Sequence, residues 1–337
     1  MRIFLTGGTG FLGGAFAELA TAEGVDVVAL ARPGSRTKRL EAIGATLCRG
    51  DLSDPAVLAA GMRACDGVLH AASPLGGWGP PTPYREVTVE GTRHVVEAMR
   101  IASVPTLVHI STVDVHGLDP TRGGSVCEED APGKEFLPFD HYGRSKVAAE
   151  RIVRSAHEDG SIVATVLRPG LIYGPGDENA YARFADLWRR GLAVSFGRGG
   201  NVLALTHVRH VAHAAWAVFL KRSLDHRVYL CATDGVVTQR EYLASIARAV
   251  GRTRPPLAVP MSALLGTAAG LERLSVATRY RIPVALSRFV VHLLGSDWRF
   301  DQHRIESELG WSPEIGYAEG FAQTEDWYRR TRGLPRR

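Results

Sequence analysis

A tyrosine and a lysine four positions apart are the side chains of this sequence best suited to move a proton. Tyr142 and Lys146 lie in residues 141–150, a stretch that favours a helix, and no other tyrosine is followed by a lysine at this spacing. Side chains four apart share one helical face. A phenol with a pKa of about 10 is a weak catalyst at neutral pH, but a nearby ammonium group stabilises the phenolate. We therefore predict acid–base chemistry at Tyr142, with its pKa lowered by Lys146.

A pair of hydroxyl side chains precedes this helix. Ser111 and Thr112 follow a predicted strand at 106–110, and Thr112 stands 30 residues before Tyr142. Doubly wound sheets bind their ligands at the carboxyl ends of the strands. The sequence therefore predicts that a hydroxyl group from this strand end meets the Tyr142 helix at that edge of a sheet.

A glycine-rich loop near the start of the chain is typical of a phosphate site. Residues 6–13 read Thr-Gly-Gly-Thr-Gly-Phe-Leu-Gly, between a predicted strand at 2–5 and a predicted helix that ends near residue 22. Glycines let bare backbone approach a pyrophosphate, which the positive end of a helix also attracts. An ordinary tight turn is the alternative, but the position between strand and helix favours nucleotide binding. The residues assigned to this loop's ligand are Gly7, Thr9, Gly10, Phe11, Leu12 and Gly13.

The end of the second predicted strand, at 25–29, distinguishes the two nicotinamide dinucleotides. NAD-binding sheets place a carboxylate there for the ribose 2′-hydroxyl, whereas an arginine accommodates the 2′-phosphate of NADP. Residues 27–36 contain no carboxylate, and they include Arg32 and Ser35. A guanidinium group can fork onto a phosphate. We therefore predict NADP(H) in preference to NAD(H), with an ordinary basic surface loop as the alternative.

Short apolar runs alternate with helical stretches through the first half of the chain, as in βαβ units on a parallel sheet. After residue 170 helical patterns dominate, with returns to the sheet predicted near 202–206 and 228–230. We predict an α/β fold with a doubly wound parallel sheet of the Rossmann type and a smaller, mostly helical C-terminal substrate lobe. The predicted division is a dinucleotide-binding domain at 1–169 with returning segments near 202–232, a substrate lobe at 170–201 and 233–330, and a basic tail at 331–337.

Composition excludes several other classes of protein. The 337 residues are 45% hydrophobic and 22% charged, which is ordinary for a globular domain. The net charge is +5, and five arginines lie in the last nine residues, so the charge does not indicate nucleic-acid binding. The four cysteines form no CxxC pair, which argues against a metal site or a disulfide scaffold. We find no secretion signal and no apolar run of about 20 residues, so we expect a cytoplasmic protein without a membrane span.

Together these motifs resemble the extended short-chain dehydrogenase/reductase family. The resemblance covers nearly the whole chain and adds Asp51-Leu52, His70-Ala71-Ala72, Val115-His116-Gly117, the run at 168–176 and Leu309-Gly310-Trp311. Thr88 stands where the family's NVxGT motif has asparagine, so the hydrogen bonding at that position differs from the family's.

The resemblance implies a role for each matching residue. Thr112 holds the substrate oxygen, Tyr142 donates or takes its proton, and Lys146 binds the nicotinamide ribose and tunes the tyrosine. The remaining dinucleotide contacts that the family implies are Asp51 and Leu52 at adenine, Ala71, Ala72 and Ser73 at its middle, and Pro169, Gly170, Leu171 and Ile172 on the nicotinamide side.

Within the family, the loop around Trp78 and the C-terminal helices are similar to 3β-hydroxysteroid dehydrogenases and bacterial ketoreductases. This predicts an NADPH-dependent reductase for the ketone of a bulky apolar molecule of steroid, polyketide or 3-oxoacyl type, with Trp78, Asp114 and Tyr173 at the substrate. Trp78 has capping of the core as an equal alternative, and Asp114 is a loop carboxylate or one that acts through another residue. An NAD-retaining nucleotide-sugar epimerase or dehydratase is the alternative activity. The family also implies a homodimer on the face that carries the Tyr142 helix.

Overall fold

The computed structural model describes residues 1–75, 77–117, 125–127, 133, 136–221, 227–252 and 256–335. Most of the polar insert that follows the fifth predicted strand lies outside these residues, as do the last two arginines. The first half folds as strands that alternate with helices: β1 (Arg2–Thr6), α1 (Phe11–Ala22), β2 (Asp26–Ala31), α2 (Lys38–Ala42), β3 (Thr46–Arg49), α3 (Pro55–Met62) and β4 (Gly67–His70).

The middle of the chain contains two irregular helical segments. A helical turn, α4 (Pro81–Pro83), leads into a π-helical stretch at Tyr84–Glu90, and a 3-10 turn at Val113–His116 follows the fifth strand. The regular elements here are α5 (Gly91–Ala102), β5 (Thr106–Ile110), α6 (His141–Glu158) and β6 (Val163–Pro169).

The C-terminal part consists mainly of helices. Its elements are β7 (Leu171–Tyr173), α7 (Tyr181–Arg189), β8 (Val194–Phe196), β9 (Leu205–His207), α8 (Val208–Leu220), β10 (Arg227–Cys231), α9 (Gln239–Ala249), β11 (Leu257–Val259), α10 (Met261–Ala277), α11 (Arg288–Gly295), α12 (His303–Leu309) and α13 (Tyr317–Thr331).

The predicted Rossmann-type sheet is confirmed. Seven parallel strands follow the order β10-β6-β5-β4-β1-β2-β3, so the chain reverses its direction of winding between β1 and β4. Helices α1 and α8 cover one face of this sheet, while α3, α5 and α6 cover the other. Ligands bind at such a reversal, at the carboxyl ends of the strands. That edge carries the glycine loop after β1 and the loop after β4.

One predicted return to the sheet is wrong. The segment near 202–206 contributes β9, which pairs with β7 in a separate two-stranded sheet, and β10 alone brings this part of the chain back to the large sheet. The close packing of backbone around Gly170 explains why β7 leaves the large sheet. A Cβ atom at this position would lie 2.2 Å from the Ala232 carbonyl oxygen and 2.6 Å from that of Ala204. The chain turns out of the sheet where both carbonyls approach it, and the Leu171 amide donates to Ala204 at 2.8 Å.

Helix α11 is short and follows a proline-containing segment. Helix α11 begins at Arg288, after Ser287 caps it by accepting from the Val290 amide at 3.3 Å. Pro283 precedes this cap. A proline restricts the residue before it to extended backbone, which delays the helix. No helix in the described ranges is long and apolar enough to cross a membrane.

Candidate active site

The predicted catalytic hydroxyls meet at the carboxyl end of β5. Thr112 lies two residues after this strand, and Tyr142 is the second residue of α6. Asp140 fixes the first turn of α6 by accepting from the Gly143 amide at 2.8 Å. The Thr112 hydroxyl lies beside the Tyr142 phenol, where its hydrogen-bonding contribution lowers the tyrosine pKa in part. A substrate oxygen placed between them would contact both hydroxyls.

The pKa values of the two side chains on α6 move in opposite directions. Burial lowers the pKa of Lys146 to about 8, an effect that the Glu150 carboxylate partly offsets. Burial raises the pKa of Tyr142, and the charge of Asp114 adds to the rise. In the protein alone the tyrosine pKa thus moves opposite to our expectation. The Lys146 ammonium group donates to the Ile110 carbonyl at 2.8 Å. Tyr142 is held as a phenol, the form that donates a proton.

A buried ion pair joins helix α6 to strand β6. Arg168 donates to the Glu150 carboxylate through two nitrogens at 3.0 and 2.8 Å, and Ser111 donates to the same carboxylate at 2.6 Å. All three side chains are buried. Because Ser111 is bound to Glu150, Thr112 is the hydroxyl that faces Tyr142. No motif indicated this pair, although Glu150 stands one helical turn after Lys146 and was a usable signal.

The glycine loop fits a nucleotide pyrophosphate. A Cβ atom at Gly13 would lie 2.3 Å from the Gly7 carbonyl oxygen, and one at Gly7, whose φ is +75°, would lie 2.8 Å from the backbone of Ala71. Helix α1 has no side-chain cap at Gly10 and no acidic residue in its first turn. Bare amides and the helix dipole therefore remain for an anionic group. Thr9 is exposed, and Phe11 and Leu12 are half-buried at the same helix end.

A buried histidine ties the glycine loop to the loop after β4. The Thr92 hydroxyl donates to the Thr88 carbonyl at 2.6 Å, so its oxygen accepts from Nε2 of His70 at 3.0 Å. Nδ1 of His70 then accepts from the Thr6 hydroxyl at 2.7 Å. Burial lowers the pKa of His70 to about 3, with the charge of Lys146 as a smaller cause. The ring is neutral, and its partners fix the tautomer with the proton on Nε2.

The loop after β4 carries three residues predicted to meet the dinucleotide. The amides of Ala71 and Ala72 donate to the carbonyl and hydroxyl oxygens of Thr6, each at 3.3 Å. The hydroxyls of Ser73 and Thr88 are 3.0 Å apart and share a hydrogen bond. Thr88 therefore supplies a polar contact at the position where the family has asparagine. These bonds hold the loop beside the glycine loop.

The turn after β2 presents the predicted phosphate ligand. The Ser35 amide donates to the Arg32 carbonyl at 3.1 Å, and Gly34 between them has a φ of +79°. Proline followed by a glycine with positive φ is the pattern of a type II turn. It places the side chains of Arg32 and Ser35 close together. Arg32 is exposed and forms no ion pair with any residue that the structure describes.

The other predicted cofactor residues lie at the same edge of the sheet. Asp51, two residues after β3, accepts from the Ser53 amide at 3.0 Å, and Leu52 is buried. Four more stand at the end of β6 and the start of β7, namely Pro169, Gly170, Leu171 and Ile172. No cluster of three or more histidine, cysteine, aspartate or glutamate side chains that could hold a metal ion occurs among the described residues.

Tyr173, which we predicted to contact substrate, is a core residue. Its ring is fully buried and packs against His207, Tyr317 and Phe321, with ring centroids 5.3, 6.0 and 5.2 Å away. A Cβ atom at Gly320 would lie 2.4 Å from its hydroxyl oxygen, so helix α13 also closes over it. This enclosure corrects the prediction, because no surface of the ring remains for a substrate.

Trp78 and Tyr142 each lie among aromatic rings. The indole nitrogen of Trp78 donates to the Ser275 hydroxyl at 2.9 Å, and its ring lies edge-on to Phe139 at 5.5 Å. The ring of Tyr142 contacts Tyr84 and Phe289, with centroids 6.4 and 6.3 Å apart. The π-helical stretch and α11 therefore place aromatic rings against the phenol.

Comparisons with known proteins agree with this geometry. The model of the NAD dependent epimerase/dehydratase family matches residues 3–232. A 2-alkyl-3-oxoalkanoate reductase from Stenotrophomonas maltophilia is 30% identical over 95% of this chain and 97% of its own. A 4-hydroxy-2-methyl-3-oxo-4-farnesyl-3,4-dihydroquinoline-1-oxide ketoreductase from Stigmatella aurantiaca is 29% identical over 95% of each chain.

A solved structure shows the same fold at lower identity. UDP-glucuronic acid 4-epimerase from Bacillus cereus, in complex with NAD, superimposes with a TM-score of 0.76 at 19% identity, over 98% of this chain and 99% of the other. The family match spans the whole nucleotide-binding part, from β1 to β10. The protein therefore belongs to the NAD dependent epimerase/dehydratase family, that is, the extended short-chain dehydrogenase/reductases, and is an NAD(P)-dependent oxidoreductase.

Proposed function

We propose that this protein is an NADPH-dependent ketoreductase for a bulky apolar ketone. The observation that carries the proposal is the Tyr142 phenol, which burial and Asp114 keep protonated, beside the Thr112 hydroxyl and in contact with aromatic rings. Reduction of a ketone needs a proton donor at the carbonyl oxygen. A nicotinamide dinucleotide, when bound, supplies the hydride.

Residues of this chain orient the ketone, protonate its oxygen and bind the cofactor. The Thr112 and Tyr142 hydroxyls orient the carbonyl oxygen, and Tyr142 gives its proton to that oxygen as the alcohol forms. Lys146 is anchored to the Ile110 carbonyl at 2.8 Å, so its other two N–H groups are free to bind a ribose hydroxyl. The pair of Glu150 and Arg168 fixes the helix on which both α6 residues stand.

The choice of NADPH is supported by the turn at Arg32. This turn sets a guanidinium group and a hydroxyl together at the end of β2, and no carboxylate stands there to accept from a ribose 2′-hydroxyl. An exposed arginine without an ion partner among the described residues suits a phosphate. Asp51 stands two residues after β3, and its carboxylate accepts from the Ser53 amide.

An apolar substrate is supported by the aromatic rings around Trp78 and Tyr142. The names of the two reductase relatives combine an oxo group with an alkyl or farnesyl chain. A ketone that carries such a chain would cover the half-buried rings of Phe139 and Phe289 and remove apolar surface from water. Homodimerisation on the face that carries α6 stays a prediction of the family resemblance, and a cytoplasmic location stays a prediction from the sequence.

Replacement of Tyr142 by phenylalanine tests the function. Loss of the proton donor should lower ketone-dependent NADPH oxidation by about 10²- to 10⁴-fold, the usual contribution of general acid catalysis. The aromatic contacts remain, so the dissociation constant of NADPH, measured by fluorescence, should change less than about threefold, well under 1 kcal/mol. Full activity in Tyr142→Phe contradicts the proposal. Tightly retained NAD in the purified protein, with turnover of nucleotide sugars, favours the epimerase or dehydratase instead.

A further inference from the structure

The Thr112 hydroxyl already donates its proton to a neighbouring carboxylate. Oγ1 of Thr112 donates to Oδ2 of Asp114 at 2.9 Å, and the Asp114 amide donates back to the same Oγ1 at 3.2 Å. A hydroxyl group has a single proton. In this arrangement Thr112 can accept from Tyr142 but cannot also donate to a substrate oxygen.

The 3-10 turn holds Asp114 in this position. The two valines that flank Asp114 are buried, and Val113 packs with Leu230 and Ala232 beneath β10. The backbone between Thr112 and Asp114 therefore has little freedom. The burial of these valines fixes the backbone of Asp114, whose amide also donates to Oγ1 of Thr112.

We propose that Asp114 is a positioning residue that holds the proton for each reduction and passes it through Thr112 to Tyr142. The inference rests on the proposed reductase activity. When the Asp114 carboxyl group is protonated, it donates to Oγ1 of Thr112, and the threonine hydroxyl is released to donate onward. After Tyr142 has protonated the new alcohol, the phenolate takes the proton of Thr112, and Thr112 takes that of Asp114. One proton leaves the carboxyl group for each hydride delivered, which is the balance of a ketone reduction.

Solvent can return the proton through a small cavity. Asp114 and Asp140 line it together with Leu137, Phe289 and His292. The titratable groups that face Asp114 are Asp140 and Tyr142 from α6 and His292 from α11. The cavity places the Asp114 carboxyl group beside Asp140 and His292, and we infer that water reaches the carboxyl group here.

The pKa of Asp114 agrees with a role in holding the proton for Tyr142. Burial, and then the charge of Asp140, raise the pKa of Asp114 to about 7, although the bond from Thr112 lowers it in part. The carboxyl group is protonated below that pKa and ionised above it. Reduction should therefore slow as the pH rises through about 7, because the proton that refills Tyr142 is no longer present.

The pH dependence of turnover tests the relay. We expect Asp114→Asn to lower kcat for ketone reduction about 100-fold at pH 6, the lower end of the usual range for one proton-transfer group, and to abolish the fall near neutral pH. Asp140→Asn is the matched control in the same cavity. It keeps the cap of α6 and removes a negative charge, so the fall should persist but move to lower pH. Thr112→Ser should keep the wild-type profile, and Thr112→Val should lose it.

A titration without substrate separates this inference from the proposed function. Carbon-13 labelling of the aspartate carboxyl groups reports the titration of Asp114 by NMR, assigned by its absence in Asp114→Asn. A carboxyl group that titrates near neutral pH, and at lower pH in Asp140→Asn, supports the proposal. Titration at the ordinary aspartate value of about 4 overturns it, whether or not any ketone is reduced. An unchanged pH profile in Asp114→Asn overturns it as well. If no ketone is reduced by the wild type, the proposed function fails, and the NMR titration alone decides the role of Asp114.

Discussion

The nucleotide-binding half and the C-terminal lobe position their functional groups by different means. At the glycine loop the contacts are between backbones, since the Gly13 position lies against the Gly7 carbonyl and Gly7 lies against Ala71. In the C-terminal lobe large rings pack on one another, as Tyr173 does on Tyr317 and Phe321. A contact between backbones tolerates one residue type, whereas packed rings tolerate many combinations. We therefore expect the first half to fix the cofactor chemistry and the second half to vary with the substrate.

Replacement of Gly13 by alanine should have the largest effect on this comparison. The added methyl group would lie 2.3 Å from a backbone oxygen that has no room to move. We expect the dissociation constant of NADPH to rise by about 100-fold, which is near 2.7 kcal/mol, measured by fluorescence titration. Gly266→Ala in α10 is the control, because no atom lies within 4 Å of its added Cβ. That variant should gain about 0.5–1 kcal/mol of unfolding free energy.

The comparison between the two halves requires the expected result for both Gly13→Ala and Gly266→Ala. Wild-type affinity for NADPH in Gly13→Ala would show that the loop adjusts, and the contrast between backbone and side-chain placement would fail. Loss of NADPH binding in Gly266→Ala would show that the C-terminal lobe contributes to the cofactor site after all.

Trp78→Phe should have a smaller effect, confined to the substrate side. The variant keeps an aromatic ring beside Phe139 but loses the hydrogen bond to Ser275, which is 2.9 Å long. We expect about 1 kcal/mol less unfolding free energy, by urea denaturation, and a KM for the ketone raised about fivefold. Trp216→Phe, on the α8 surface away from Tyr142, is the matched control and should leave KM unchanged. A change in NADPH affinity as large as the change in KM would contradict the expectation that Trp78 affects substrate binding and not cofactor binding.

The two halves also differ in how much the sequence predicts. The sheet and the glycine loop follow from local patterns, because strand, turn and helix residues are neighbours in the chain. The meeting of Thr112 with Tyr142 follows from the general rule that doubly wound sheets bind ligands at the carboxyl ends of their strands. The pairing of β9 with β7 does not, since it depends on Ala204 and Ala232 approaching Gly170. Tyr173 was misplaced for the same reason, because α13 buries it from nearly 150 residues away.

Electrostatics at the site were the least predictable part. The spacing of Tyr142 and Lys146 indicates a shared helical face, but the direction of the tyrosine pKa depends on burial and on Asp114. Neither is a property of the YxxxK pattern. The bond between Thr112 and Asp114 is local, yet nothing in a separation of two residues distinguishes a relay partner from a loop carboxylate.

Parallel titration of the wild type and Arg32→Ala with NADPH and NADH tests the central claim most directly. If Arg32 holds the 2′-phosphate, the wild type should prefer NADPH, and the variant should lose about 10- to 100-fold in NADPH affinity, the range for a charged hydrogen bond. Its affinity for NADH should stay within about twofold of the wild type, below 0.5 kcal/mol. Equal losses for both nucleotides, or a wild type that prefers NADH, would contradict the account and give precedence to nucleotide-sugar substrates.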